Sequence, residues 1–316
     1  MKLGFLTGCL DMPLIEKLDY AAERGFETVE VSCWPKVNER DYAGSDIDVV
    51  NFAQEDADQL LAEMEARGLE ISSLAYYDNM LHPDPACRAG YHAHLKAVIL
   101  AAEKLHVELV GTFVGKNQEL SLEENFDLFE EIFSELVSFA EAHHVKLMIE
   151  NCPMPGWEKD GLPATISYAP EFWTEMFRRV PSASFGLNFD PSHLHWLQID
   201  YLDCLDKFHE RIFHVHAKDC QLDHSLVAYY GIFGKKLHRE HPEDLGWFTP
   251  KIPGLGDISW PIFIERLRQI GYDGYLSIEH EDRMFEGTND KVIRGLDFSY
   301  HHLYPLVKNF QESSDR

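Results

Sequence analysis

Four groups able to bind a hard cation each follow or lie within a short apolar run: Glu150 after Leu147-Met148-Ile149, Asp190 after Leu187-Asn188-Phe189, His216 in Phe213-His214-Val215-His216, and Glu279 after Leu276-Ser277-Ile278. A buried strand-end carboxylate is costly unless a cation or hydrogen bonds compensate it. Taken singly, each residue reads as an ordinary strand-end acid or a hydrogen-bonded core histidine. Taken together, three carboxylates and one imidazole at one level suit one divalent ion, Mn²⁺ first and then Mg²⁺, Co²⁺ or Zn²⁺, rather than a soft thiolate-bound metal. Such an ion with open positions polarises a bound hydroxy-carbonyl compound and acidifies the neighbouring C–H, so that proton removal gives an enediolate. Reprotonation at the other carbon isomerises the compound; reprotonation on the opposite face inverts it.

The elements that must hold these groups at one level alternate along the chain. β-rich runs at 3–7, 28–32, 70–76, 108–112, 146–151, 185–190, 212–218 and 275–279 are each followed by helical periodicity. The helices are expected between Pro13 and Gly25, then at 48–67, 86–105, 121–142, 170–179, 201–211, 260–269 and 290–307. Ser121-Leu122-Glu123-Glu124 has the pattern of a capping box, and Gly25, Gly68 and Gly271 follow helix ends. Eight βα units predict a closed (β/α)8 TIM barrel. An open doubly wound sheet is the alternative, but no Gly-x-Gly-x-x-Gly turn follows the first strand. The chain has 316 residues without a Ser/Gly/Pro-rich joint, so 1–316 is read as a single domain with a long loop insertion at about 220–259.

Further candidates cluster at the expected strand ends. His193 lies three residues after Asp190, within reach of a substrate oxygen or a second ion, or serves simply as a polar residue at a helix start. His214 and Lys218 share a strand face with His216, because side chains alternate. Lys218 can orient a substrate hydroxyl, stabilise an enediolate or pair with a ligand carboxylate. Trp34, after strand two, and His82, after strand three, are rim candidates for substrate binding. The loop at 151–169 carries Trp157, and the insertion carries Tyr229, Tyr230, His238, Arg239, His241 and Trp247 as a candidate lid whose rings can stack on a sugar or pack on the barrel.

Charge narrows the partners. With 28 Lys plus Arg against 54 Asp plus Glu, the formal charge is −26, which repels polyphosphate and argues against a nucleic-acid partner in favour of a small neutral or cationic one. No apolar run approaches the roughly 18 residues of a membrane span, and residues 1–9 read as a strand rather than an export leader, so no membrane partner and a cytoplasmic location are expected. Six scattered cysteines are expected to be free thiols, and a homo-oligomer is compatible with everything above.

The same residues carry a resemblance that spans nearly the whole chain. Ile149-Glu150-Asn151, Asp190-Pro191-Ser192-His193, His214-Val215-His216-Ala217-Lys218-Asp219 and Ser277-Ile278-Glu279-His280-Glu281 are similar to the xylose-isomerase-like barrel family of sugar isomerases and epimerases, including the ketose 3-epimerases. The resemblance implies Glu150, Asp190, His216 and Glu279 as metal ligands, His193 as a substrate contact, and Glu150 and Glu279 as a catalytic acid/base pair. Many ketose 3-epimerases place an Arg shortly after the strand-seven histidine, where this chain has Lys218 and Asp219. A metal-dependent lyase or deglycosidase acting on 3-keto-glycosides is therefore the first alternative. An endonuclease-IV-like phosphodiesterase fits less well, since His214 stands where its site wants an Asp, and a non-catalytic sugar-binding protein leaves four ligands without a purpose.

Overall fold

The computed structural model describes residues 1–36, 44–157, 163–241 and 244–308. Ten strands follow in chain order: β1 (Lys2–Leu6), β2 (Thr28–Ser32), β3 (Glu70–Ala75), β4 (Leu109–Thr112), β5 (Lys146–Glu150), β6 (Phe185–Phe189), β7 (Ile212–Ala217), β8 (Asp219–Leu222), β9 (Phe248–Lys251) and β10 (Tyr275–Ile278). All but β8 and β9 pair in parallel and close on themselves, β10 joining β7 to β1. This is the (β/α)8 TIM barrel. The strands are buried nearly throughout, as both faces of a parallel barrel require. Gly4 permits the close approach of β1 to β2, since a Cβ there would stand 2.3 Å from Thr28 Oγ1.

Around the barrel run α1 (Leu14–Arg24), α2 (Gln54–Arg67), α3 (Pro85–Lys104), α4 (Leu122–Ala142), α5 (Pro170–Arg179), α6 (Pro191–Trp196), α7 (Tyr201–Phe208), α8 (His224–Tyr230), α9 (Trp260–Gln269) and α10 (Asn289–Lys308). The expected capping box forms at α4: Ser121 Oγ accepts from Glu124 N, and Glu124 Oε2 accepts from Ser121 N. Gly25 ends α1 in the left-handed conformation at φ 86°, which a side chain would resist.

Three details differ from the sequence expectation. The second helix starts at Gln54, not near 48, because Asp48 and Asn51 close a local turn and the Asp56 carboxylate accepts from Ala53 N. The helices number ten among the described residues, because α6 and α8 are short additions within the connections after β6 and β7. The eighth barrel strand ends at Ile278, so Glu279 stands just beyond it.

The described residues after β7 form an excursion from the barrel. Its β8 and β9 form an antiparallel pair, and Leu222, Leu245 and Trp247 build a second small core with Trp196 and Cys220. Asp219 secures the excursion: its carboxylate accepts from Cys220 N at 2.9 Å, Gly254 N at 3.1 Å, Ile258 N at 3.0 Å and Trp260 Nε1 at 2.9 Å. Removing it strands these buried donors at about 1–3 kcal/mol each. Asp219→Ala is expected to lower the unfolding free energy by at least about 3 kcal/mol, read as a fall in the urea midpoint, with a smaller loss for Asp219→Asn.

Candidate active site

Glu150, Asp190, His216 and Glu279 meet at the C-terminal mouth of the barrel, where each offers one ligand atom within 4.8 Å of the others. Backbone chemistry sets the positions. Asn151 ties the ends of β5 and β6 together, donating from Nδ2 to Asp190 O at 2.9 Å and accepting Asp190 N at 2.8 Å. Asp190 caps α6, its Oδ1 accepting from Ser192 N at 2.7 Å, which leaves Oδ2 turned to the centre.

The fit to a cation rests on atoms whose contacts within the protein are poorly formed. Asp190 Oδ2, His216 Nδ1 and Glu279 Oε2 are buried without a well-aligned hydrogen bond, although His193 Nε2 lies 3.3 Å from Asp190 Oδ2 and His216 Nδ1 lies 3.1 Å from Glu279 Oε2, and they surround the point where the four side chains converge. Groups of this kind normally find a partner, so the set is shaped for a divalent ion bound through oxygen and imidazole nitrogen. Burial pushes the Asp190 carboxyl up to about 6, against the pull of His193 and Lys218. Glu150, despite burial and the neighbouring Glu279, is held below the usual carboxylate range by His216 and His193. Glu279 is held lower still: Lys218 and His216 outweigh its burial.

His216 is aimed from beneath. Its Nε2 lies 2.9 Å from Glu30 Oε2. Asn188 Nδ2 is also 2.9 Å from that nitrogen, but an amide NH2 cannot accept from a ring N–H and the Glu30 carboxylate can, so Nε2–H donates to Glu30 and the Nδ1 lone pair faces the ligand cluster. Tyr77 OH donates to Glu30 Oε1 at 2.9 Å and accepts from Asn188 Nδ2 at 2.7 Å. These three supports went unseen in the sequence. Glu30 had a legible signal, an acid between Val29 and Val31 in an otherwise apolar strand; Tyr77 and Asn188 had none.

The remaining candidates separate. His193 Nδ1 accepts from Trp196 Nε1 at 3.3 Å, which leaves the proton on Nε2, 3.2 Å from Glu150 Oε1 and 3.3 Å from Asp190 Oδ2. Lys218 lies 3.2 Å from Glu279 Oε1 and 2.8 Å from Glu281 Oε2, the ion pair that was one of its three readings. Trp34 lines the cavity above the cluster with Tyr77, Phe113, Trp157 and Phe248.

His214 does not line it: fully buried below His216, it donates from Nδ1 to Asn188 Oδ1 at 2.9 Å and accepts from Ser72 Oγ at 3.3 Å. Burial holds its pKa down, to about 4, so it is a neutral member of the barrel floor. His82 also lies off the cavity, accepting from Asp84 N at 3.1 Å and packing edge-on against Tyr91. Among the excursion residues, Trp247 is buried in the small core, and Tyr229, Tyr230, His238, Arg239 and His241 are absent from the cavity wall. The first residue of β9, Phe248, lines the cavity instead. All six cysteines are free, and Cys152 joins Glu150 and His193 in a second close group.

Comparison with known proteins follows the geometry. The family described as xylose isomerase-like TIM barrel matches residues 18–301. YfiH, an uncharacterised protein of Bacillus subtilis (strain 168), is 25% identical over an alignment 311 residues long that covers 89% of this chain and 93% of YfiH. An inosose dehydratase of Mesomycoplasma hyopneumoniae (strain 7448) is 24% identical over 252 residues, covering 76% of this chain and 77% of its own. IolI, whose crystal structure holds a zinc atom, shares the fold with a TM-score of 0.71 at 18% identity, covering 98% of this chain and 99% of its own.

Glu30→Gln is expected to weaken binding of Zn²⁺ or Mn²⁺ by about 10–100-fold in calorimetric titration, the usual cost of losing a carboxylate behind a ligand histidine. Unchanged affinity would remove Glu30 from the centre.

Proposed function

The chain belongs to the xylose isomerase-like TIM barrel family, and on that premise we propose that it is a divalent-metal-dependent sugar isomerase or epimerase working by proton transfer next to a carbonyl. One observation carries the reading: two glutamates reach the same point, each supported by a different donor, Glu150 by His193 and Glu279 by Lys218. Inversion of a carbon needs acid/base groups near both faces of the substrate, and this pair supplies them.

A cation held by Glu150, Asp190, His216 and Glu279, with Mn²⁺ favoured over Mg²⁺, Co²⁺ and Zn²⁺, supplies a Lewis acid that acidifies the C–H beside a carbonyl. The two glutamates then differ in their access to water. The Glu150 residue is only 2% exposed, so it is sealed from solvent and suits removal of the substrate proton. Glu279 is linked through the Lys218 ammonium to Glu281, whose side chain is 45% exposed, which gives it a path for exchanging its proton with solvent. His193, with its proton on Nε2, can donate to a substrate oxygen from the side of Glu150.

The inosose dehydratase relative favours a second reading, in which the same proton removal is followed by loss of a hydroxyl from the adjacent carbon. Product mass separates the two: epimerisation and isomerisation conserve it, and elimination subtracts one water.

The test is a panel of ketoses and keto-glycosides incubated in D₂O with the metal-loaded protein. Solvent deuterium is expected at the carbon next to the carbonyl, chelation should abolish it, and Glu150→Gln and Glu279→Gln should each slow it by at least about 100-fold. Full exchange by Glu150→Gln with its metal still bound would sink the acid/base assignment. Saturating metal should also raise the unfolding free energy, by about 2.7 kcal/mol at one hundred times its Kd, and chelation should reverse the shift.

A further inference from the structure

The cavity of about 630 Å³ has two chemically different regions. Its floor is the carboxylate cluster with His193 and Lys218. Around it stand aromatic rings from separate segments, and four of these form two packed pairs. Phe113 meets Trp157 edge-on with centroids 5.5 Å apart, and Trp196 stacks on Phe248 at 4.8 Å with an interplanar angle of 15°. In each pair one ring is buried, Phe113 at 4% exposure and Trp196 at 1%, and the other is half-buried at the cavity. A half-buried ring backed by a buried one is held in place before any ligand arrives, so it offers a fixed apolar face without an ordering cost on binding.

Both pairs belong to the cavity wall rather than to the carboxylate cluster. Sites that enclose drug-sized ligands occupy about 300–1,000 Å³, and this cavity falls within that range, with room beyond one sugar ring. Charge restricts what fills the room. Among the described lining residues carboxylates outnumber Lys218 and Arg283, and Lys218 is held between Glu279 and Glu281, so the floor of the cavity disfavours a phosphate.

We propose that the substrate is an unphosphorylated sugar bearing a second ring with an apolar face, which stacks on Phe248 and Trp157 while the sugar itself meets the carboxylate cluster. An aryl group and a second pyranose share this chemistry, since both present a flat apolar face to an aromatic side chain. The proposal rests on the sugar reading above and names the kind of sugar.

Its test is equilibrium binding of the zinc-loaded full chain, followed by tryptophan fluorescence, to methyl, phenyl and glucosyl β-glycosides of glucose, galactose, mannose and xylose. In at least one sugar series a ring-bearing glycoside is expected to bind about tenfold or more tightly than the methyl glycoside, and Phe248→Ala to cut that preference below about threefold. Phe248→Leu, which keeps the apolar volume and lacks the aromatic face, should also reduce it. Preference for phenyl glycosides assigns an aryl substituent; preference for glucosyl glycosides assigns a second sugar. Equal or undetectable binding of methyl and ring-bearing ligands in every series would overturn the proposal, as would a preference that survives both Phe248 variants and Trp157→Ala. Binding is read here without turnover, so failure of the proton-transfer reading would show separately, as absent deuterium exchange.

Discussion

Charge compensation at the barrel mouth is the constraint on which the rest depends. Glu150, Asp190 and Glu279 bring carboxylate oxygens within 4.8 Å of one another in a mostly buried setting. At an effective dielectric near 20, two like charges about 4 Å apart repel by about 4 kcal/mol, a large share of a typical domain's stability. The Lys218 ammonium and the His193 N–H offset part of this, yet Asp190 Oδ2, His216 Nδ1 and Glu279 Oε2 still face the centre without a well-aligned hydrogen bond. A divalent ion there would meet both deficits at once, neutralising charge and filling the open coordination.

That arrangement needs a floor that does not move. Glu30 reaches His216 across the barrel interior from β2, three strands round from β7, and Tyr77, Asn188, His214 and Ser72 extend the contacts. Each of these polar groups is buried, and each finds its hydrogen bond across strands rather than along one. A network of this kind fixes the ligand imidazole in one orientation and one tautomer, which a chain of apolar contacts cannot do. It also accounts for His214, a histidine with the look of a site residue that is neutral and occupied with holding Asn188.

Above the floor, the cavity wall is built largely by loops. The excursion after β7 is anchored by Asp219 and by a small core of its own, and it contributes Phe248 to the cavity wall. Trp196 belongs to both regions: its ring packs with Trp247 and Phe248, and its indole N–H sets the proton on His193. The excursion and the reactive cluster are thus mechanically joined through one side chain. Such a division, with chemistry on the strand ends and recognition on the loops, lets one barrel serve many substrates.

The alternation of strands and helices, the barrel and the convergence of Glu150, Asp190, His216 and Glu279 were legible in the sequence, because burial of parallel strands writes itself as apolar runs and the barrel puts their ends on one rim. Glu30 was legible in principle, as a lone acid among valines. What the tertiary structure alone decided are the contacts between residues distant in sequence. His214 and His216 differ by two positions and share a strand face, yet the upper one meets the carboxylates and the lower one meets Ser72 and Asn188, a difference of depth that periodicity does not encode. Trp247 and Phe248 are adjacent, and one is sealed in a core while the other faces the cavity, because the pairing of β8 with β9 turns their side chains to opposite sides. Local pattern determines which face a residue occupies; only the closed fold determines what that face meets.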